Sequence, residues 1–323
     1  MIKITRRTVL VVGLSAYAMP AIAKGVWPDR PITLVHGFPP GGPVDVLSRI
    51  LADGLTPKLG QPVVVEAKPG AAGTTAAGLV ARAVPDGYTL AALGATFTAA
   101  SAMYQKLPYN ALDDFAYIST TAEYPLVLVT HPDSELRSVA DIVKLARSRS
   151  APLLYGTAGN GTLMHLTMEL FARKANIRLQ HVPYKGGLPA VTDLLGKRVD
   201  LVLDPPTVPL PFVRDSKLHA LAVTGASRFF ALPNCPTMIE SGYAGFVVTG
   251  FQGIAGPSGL ATSVATKVND ALAAVLADSA VVEKLKRVGN VPSPSSPQEY
   301  KARVIADVAR WKDVIDGAHI ARI

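Results

Sequence analysis

The sequence predicts an α/β protein built as two lobes, with a hinge and an interlobe cleft. Three observations carry the prediction. Short β-branched apolar runs alternate with segments of helical period, and a unit of strand, glycine loop and helix occurs twice. The third is size: 323 residues, 49% of them hydrophobic and 17% charged, exceed what one small sheet can organise. No tandem period is present, so two α/β lobes, each with a mainly parallel sheet, are the natural division.

Taken in order, Ile32-Thr33-Leu34-Val35 reads as a strand. A Pro/Gly loop follows, and Val44, Leu47, Ile50, Leu51 and Leu55 recur at helical spacing. Val63 to Glu66 predicts a second strand, Gly73 to Ala83 a small-residue helix and Tyr88 to Leu93 a third strand. Leu126 to Thr130 predicts a strand before a helix that runs from Ser138, its N-cap, to about Arg149. Leu153-Leu154-Tyr155 then enters the glycine loop 156–162, and Leu163, Leu166, Leu170 and Phe171 stripe the next helix. Short strands are expected at Gln180 to Val182, Leu201 to Leu203 and His219 to Val223. Val264, Val268, Leu272 and Val275 mark a late helix, and Pro297 to Ile315 predicts a last amphipathic one carrying Trp311. Chain crossings near 123–130 and 224–250 give a discontinuous first lobe, 24–123 plus 240–323, and a second lobe, 124–239.

The N-terminus reads as an address. Lys3, Arg6 and Arg7 precede a mostly apolar stretch from Val9 to Ala18, and Ala21-Ile22-Ala23 has the form of an A-x-A cleavage site. Residues 1–23 are therefore expected to be a signal peptide, with the mature chain starting at Lys24 and acting in a bacterial periplasm. The pair Arg6-Arg7 fits either the Sec or the twin-arginine route. Pro20 and the A-x-A site interrupt the apolar run before the ~20 residues a membrane span needs.

Composition excludes several classes. The chain carries 32 Lys and Arg against 24 Asp and Glu, a formal charge of +8, and three of those positives lie in the first 23 residues. No basic block stands out, which argues against nucleic acid as a partner, while a basic balance suits an anionic small ligand. Cys235 is the one cysteine, so an intramolecular disulfide and Cys-based zinc or redox motifs are excluded. The six histidines show no H-E-x-x-H and no close pairing, and no metal is expected. Gly73 to Gly78 has the glycine spacing of a P-loop, but Leu79 and Val80 stand where Lys and Ser or Thr are required. There is no G-x-S-x-G elbow, and Gly156, Gly159 and Gly161 do not form a dinucleotide fingerprint; no cofactor is predicted.

The two glycine loops are where binding is expected. Pro43 suits the first position of the helix after 36–42, leaving amides at Gly41, Gly42 and Val44 as free donors to an anion at the helix start. In the second loop Thr157 and Thr162 offer hydroxyl donors, and Gly159 and Gly161 permit close backbone approach. The other reading of either loop is a sharp turn with no ligand. His165, three residues into its helix, either caps and packs or donates to a ligand. Asp113-Asp114 reads as a turn cap, and Lys185, at the end of a strand, either faces an anion or is an exposed loop lysine. Asp204, at the end of Leu201-Val202-Leu203, either caps the next helix or faces a ligand at the sheet edge.

At this point the chain resembles a known family. Trp27-Pro28-Asp29-Arg30-Pro31-Ile32, Gly37-Phe38-Pro39-Pro40-Gly41-Gly42 with Asp45, and Pro85-Asp86-Gly87-Tyr88-Thr89-Leu90 carry the likeness. So do Tyr155-Gly156-Thr157-Ala158-Gly159, His181-Val182-Pro183-Tyr184-Lys185-Gly186 and Asp193-Leu194-Leu195-Gly196. In order and at these spacings they resemble the Bug or TctC-like substrate-binding receptors of tripartite tricarboxylate transporters, over essentially the whole mature length.

The resemblance implies a periplasmic-binding-protein-like fold of type II kind, and a monomeric, non-catalytic receptor that closes on a small carboxylate for delivery to membrane permease subunits. It implies a first pincer of Phe38, Pro39, Gly41 and Gly42, and a second of Gly156, Thr157, Ala158, Gly161, Thr162 and His165. Asp204 matches a strand-end acidic residue near bound waters, and Thr96 and Thr98, in the loop after Gly94, line the cleft. The chain departs at Ala100-Ser101, where the family often has Asn-Pro. It departs also at Asn110, where Asp is usual, and at Asn234-Cys235, where Asp-Val is typical. The first departure implies a ligand more apolar than citrate or aspartate. The rival readings are an enzyme working on a small carboxylate in the same cleft, with Asp204 or His165, and a ligand-sensing subunit for a signalling partner.

Overall fold

The computed structural model describes residues 27–317 and 319–323; the expected signal peptide, 1–23, lies outside them. Ile32, Leu34 and Val35 are buried in β1 (Ile32–His36), which feeds a glycine loop and then α1 (Pro43–Leu59). The chain continues through β2 (Val63–Ala67), α2 (Thr74–Ala81), β3 (Thr89–Gly94) and α3 (Ala95–Met103) to the long β4 (Phe115–Pro125). One residue, Leu126, separates β4 from β5 (Val127–Thr130), where a second sheet begins. That sheet adds α4 (Val139–Ser148), β6 (Leu153–Thr157), α5 (Leu163–Ala175), β7 (Leu179–Pro183) and α6 (Gly187–Leu195). It is completed by β8 (Leu201–Asp204), α7 (Pro209–Arg214) and β9 (His219–Val223). The chain then returns as β10 (Thr249–Pro257), α8 (Thr262–Ala277), α9 (Ser279–Arg287), β11 (Val291–Pro292) and α10 (Pro297–Gly317).

The strand order is β11-β4-β10-β3-β1-β2 in the first sheet and β7-β6-β8-β5-β9 in the second. Both are mixed, which corrects the expectation of mainly parallel sheets. β1 pairs in parallel with β2 and β3, but β10 runs antiparallel to both β3 and β4. In the second sheet β6 is parallel to β7 and β8, and β5 is antiparallel to β8 and β9. The antiparallel members are the strands beside the crossings, since a chain that leaves one sheet, enters another and returns reverses direction in both.

Two of the elements missed by periodicity explain themselves in the packing. β10 contains Gly250, Gly253 and Gly256, residues depleted from strands. A Cβ at Gly250 would stand 2.2 Å from the Tyr124 ring, and one at Gly253 2.5 Å from that of Tyr300, so glycine admits the rings that fill this core. α3 follows β3 directly, and small residues such as Ala95, Ala99 and Ala102 let it pack closely under α10, whose Tyr300, Val304, Val308, Trp311 and Ile315 are buried. The segment holding Thr96 and Thr98 is therefore helix and not loop. Ser138 caps α4 by accepting from the Asp141 amide, as expected.

The crossings are joined at one side chain. Thr224 Oγ1 accepts from the Leu126 amide at 2.9 Å and donates to the Val248 carbonyl at 2.6 Å, while the Thr224 backbone bonds to the same two residues. Thr224 is buried, so no water can replace these partners. Replacing Thr224 by Val keeps the shape and strands an N–H and a C=O; we expect a loss of roughly 1–3 kcal/mol in unfolding free energy, measured by urea denaturation. A change below 0.5 kcal/mol would show that the crossings do not depend on this hydroxyl.

Candidate functional site

The loop between β1 and α1 is wired from within. Pro43 occupies the first turn of α1, and Gly41 has φ +77, a value that favours glycine. The Asp45 carboxylate, 3% exposed, accepts from the Gly41 amide at 2.9 Å, from Arg49 Nε at 2.9 Å and Nη2 at 3.0 Å, and pairs with His36 Nε2 at 3.0 Å. Burial alone would raise its pKa, but Arg49, the Gly41 amide and His36 together hold it below the usual carboxylate range. His36 is shifted down by burial, and its Nδ1 accepts from the Phe38 amide at 3.4 Å, which fits the neutral Nε2-protonated ring. The Gly42 amide reaches the Pro39 carbonyl at 3.4 Å. The amides of Gly41 and Gly42, expected to be free, are thus engaged inside the loop.

The loop between β6 and α5 follows the same rule with different groups. Thr157 Oγ1 lies 2.6 Å from His181 Nε2 and accepts from the Gly159 amide at 3.2 Å. Thr162 donates to the Gly159 carbonyl at 2.7 Å and caps α5 by accepting from the His165 amide. The Gly161 amide donates to His165 Nδ1 at 3.3 Å. His165 stacks on His181, ring centroids 4.1 Å apart, and His181 on Tyr155 at 5.0 Å; the Tyr155 hydroxyl donates to Glu169. Burial lowers the pKa of both imidazoles, that of His181 to about 3 with His165 adding to the shift. Thr157 and Thr162 are both buried, and neither hydroxyl is a free donor as the sequence suggested. They shape the loop, and the histidine column holds them.

The lobes meet at these loops. A Cβ at Gly161 would stand 2.8 Å from the Tyr104 ring, and one at Gly186 3.4 Å from Pro39, so glycines allow each lobe to touch the other. Beside these contacts lies a cleft of about 630 Å³. The first lobe lines it with Gly37, Phe38, Pro39, residues 69–72 and Tyr104; the second with 158–160 and 183–186. The amides of Gly37, Ala158 and Asn160 have no acceptor among the described residues. Lys185 is exposed and is the one charged side chain of the lining. Lys185 has no carboxylate partner among the described residues, unlike Lys197 and Arg198, which pair with Asp133 and Asp193.

Of the residues singled out in the sequence, Phe38, Pro39, Ala158, Gly159 and Lys185 line this cleft. Gly41, Gly42, Gly161, Thr162 and His165 stand behind the lining and set the loop shapes. Gly156 lies in β6, where a Cβ would stand 3.2 Å from the Tyr184 ring. Thr96 lines a neighbouring cavity of about 30 Å³ beneath Phe38, room for a water or two. Thr98 is a correction: its hydroxyl is fully buried and donates to the Ala95 carbonyl and to Asp307 of α10, away from the cleft. Ala100 is buried in α3, and Ser101 donates to the Phe97 carbonyl, so that departure from the family pattern does not reach the cleft either. Asp113 and Asp114 bond to Asn110 in a turn, as expected.

Asp204 is 1% exposed, and neither carboxylate oxygen has a hydrogen-bond partner among the described residues. It lies against Gly187, where a Cβ would fall 1.8 Å from Oδ2. Burial without compensation raises its pKa well above the ordinary value. Missed by sequence reasoning were residues 69–72, Tyr104, Asn160 and Tyr184. Ala71 and Ala72 adopt positive φ, 45 and 54, a strained conformation for alanine that no local pattern announces. The glycines at 70 and 73 were the available signal.

The sequence profile of the tripartite tricarboxylate transporter family receptor matches residues 47–320. A protein of Pseudomonas sp. (strain P51), encoded in the tcbD-tcbE intergenic region, is 36% identical over 290 residues, covering 90% of this chain and 86% of its own. Among solved structures, R. palustris Rpa4515 with adipate superimposes with a TM-score of 0.89 at 33% identity, covering 92% of this chain and 100% of that one. The periplasmic binding protein BugD gives 0.87 at 33%, with the same coverage.

Two titrations follow from the site. The buried imidazoles His36, His165 and His181 take up protons more readily in the unfolded chain, where the pKa is about 6.5. Stability is therefore complete above pH ~6.5 and falls as pH drops toward 3, and His181→Asn should flatten that slope in urea midpoints taken between pH 7.5 and 4. Asp204 has the opposite sign, because its neutral form is favoured in the fold. Asp204→Asn should raise the urea midpoint at pH 7.5 and leave it unchanged at pH 3.5; no gain at pH 7.5 would mean that the carboxyl is compensated.

Proposed function

The chain belongs to the tripartite tricarboxylate transporter receptor family, and we propose that it is a solute receptor that takes a small carboxylate into its interlobe cleft and presents it to membrane permease subunits. The observation that carries this reading is the charge inventory of the cleft. Its lining holds one cation, Lys185, no acid, and amide donors from both lobes at Gly37, Ala158 and Asn160. The loops that supply these donors run into α1 and α5, so two helix starts add positive potential where an anion would sit. The adipate bound by the related R. palustris protein supports a carboxylate.

Binding is coupled to closure in this reading. Phe38 and Pro39 belong to one lobe and Ala158 to Asn160 to the other, so a ligand gains its full set of contacts only when the lobes are together. We place the lobes at 24–123 plus 240–323 and at 124–239, hinged where Thr224 joins the two crossings. Residues 1–23 act as the export signal, and the mature chain works in the periplasm as a monomer. In this reading it carries out no chemistry on the ligand: Thr157 and His165, behind the lining, are engaged in holding the loop.

Isothermal titration of refolded protein against a panel of carboxylates tests this. At least one acid should bind at micromolar affinity or tighter, and Lys185→Met should weaken it by about tenfold or more, the equivalent of ~1.4 kcal/mol. Equal affinity in the variant would remove Lys185 from the site.

A further inference from the structure

The walls of the cleft differ in character from its charged end. Three rings reach it: Phe38 and Tyr104 from the first lobe, and Tyr184 from the second. Most other rings among the described residues pair with one another, as Phe97 does with Tyr109 at 5.3 Å and Phe171 with Tyr243 at 5.2 Å. None of the three cleft rings stacks on another ring among the described residues. Tyr184 donates its hydroxyl to Asp193 at 2.8 Å, a residue outside the lining, so its ring is what it offers the cleft. Prolines 39, 69 and 183 stand between the rings and add flat, rigid apolar surface.

The polar side chains that the lining offers, by contrast, are Lys185, Asn160 and Tyr104. One cation with a few amides can pair one carboxylate. A second or third carboxylate taken into the same cleft would lose its water without a charged partner, which is strongly disfavoured. Unpaired aromatic faces are best matched by another ring, offset or edge-on.

We infer that the ligand is an aromatic monocarboxylate, its carboxylate at Lys185 and the loop amides and its ring among Phe38, Tyr104 and Tyr184. This rests on the carboxylate reading above and refines it. The walls alone carry the argument, because Ala100 and Ser101 lie outside the cleft.

The test is titration calorimetry of the purified protein with benzoate, phenylacetate, hexanoate, adipate, citrate and benzamide. An aromatic acid should bind about tenfold or more tighter than adipate and citrate. Tyr104→Leu and Tyr184→Leu should each weaken the aromatic acid by roughly threefold to tenfold while changing hexanoate less than twofold, with unaltered thermal unfolding showing that the variants fold. If adipate or citrate binds tighter than both aromatic acids and still depends on Lys185, the aromatic inference falls and the carboxylate reading stands. If no acid binds, or benzamide matches benzoate, both fall.

Discussion

Everything about the cleft depends on how two chain crossings are held together, and that is the task of Thr224. Its side chain takes the Leu126 amide and gives a proton to the Val248 carbonyl, while its own backbone bonds to the same residues. Leaving one sheet and re-entering it places three segments side by side with polar groups that belong to neither sheet's ladder. Buried there, they would be costly if unpaired. A β-branched hydroxyl residue fits extended backbone and supplies both a donor and an acceptor, so a single side chain ties the two crossings together.

From that pivot the two glycine loops face each other, and each is held by buried side chains of its own lobe. In the first, Asp45 collects the Gly41 amide, His36 and Arg49; in the second, His181 and His165 hold Thr157 and the Gly161 amide. The chemistry differs but the outcome is shared. Glycines permit the turns, polar side chains lock them, and the amides of Gly37, Ala158 and Asn160 are among those with no acceptor among the described residues. Such loops are ordered before a ligand arrives, so ordering entropy is not a large part of the cost of binding.

Much of this was legible in the sequence, and where it was not the reasons are physical. β1, α1, β6 and α5 stand where hydrophobic period and N-terminal proline or threonine placed them, and the glycines marked both loops. β10 escaped because its glycines answer to rings from distant segments, Tyr124 and Tyr300, and not to strand propensity. Thr98 looked like a loop donor because nothing local shows that α10 will lie over α3 and take its hydroxyl. The free-amide expectation failed at Gly41 because Asp45, four residues on in the first turn of α1, turns its carboxylate back to that amide. Which amides remain open is a property of the whole loop, and spacing alone does not reach it.

Asp204 shows how closely the second lobe's cleft rim is tied to its core. A buried carboxyl with no partner among the described residues costs stability, and the Gly187 backbone at the start of α6 lies against it. A Cβ at 187 would overlap Oδ2, so a larger residue there would displace the Asp204 side chain. The Gly186-Gly187 pair therefore serves two surfaces at once. Gly186 lets the rim approach Pro39 of the other lobe, and Gly187 lets the same backbone close over Asp204. Lys185, the residue before them, is carried on this turn. The turn that carries it packs against the end of β8, so the one charged side chain of the cleft lining is carried on backbone held from the interior of the sheet.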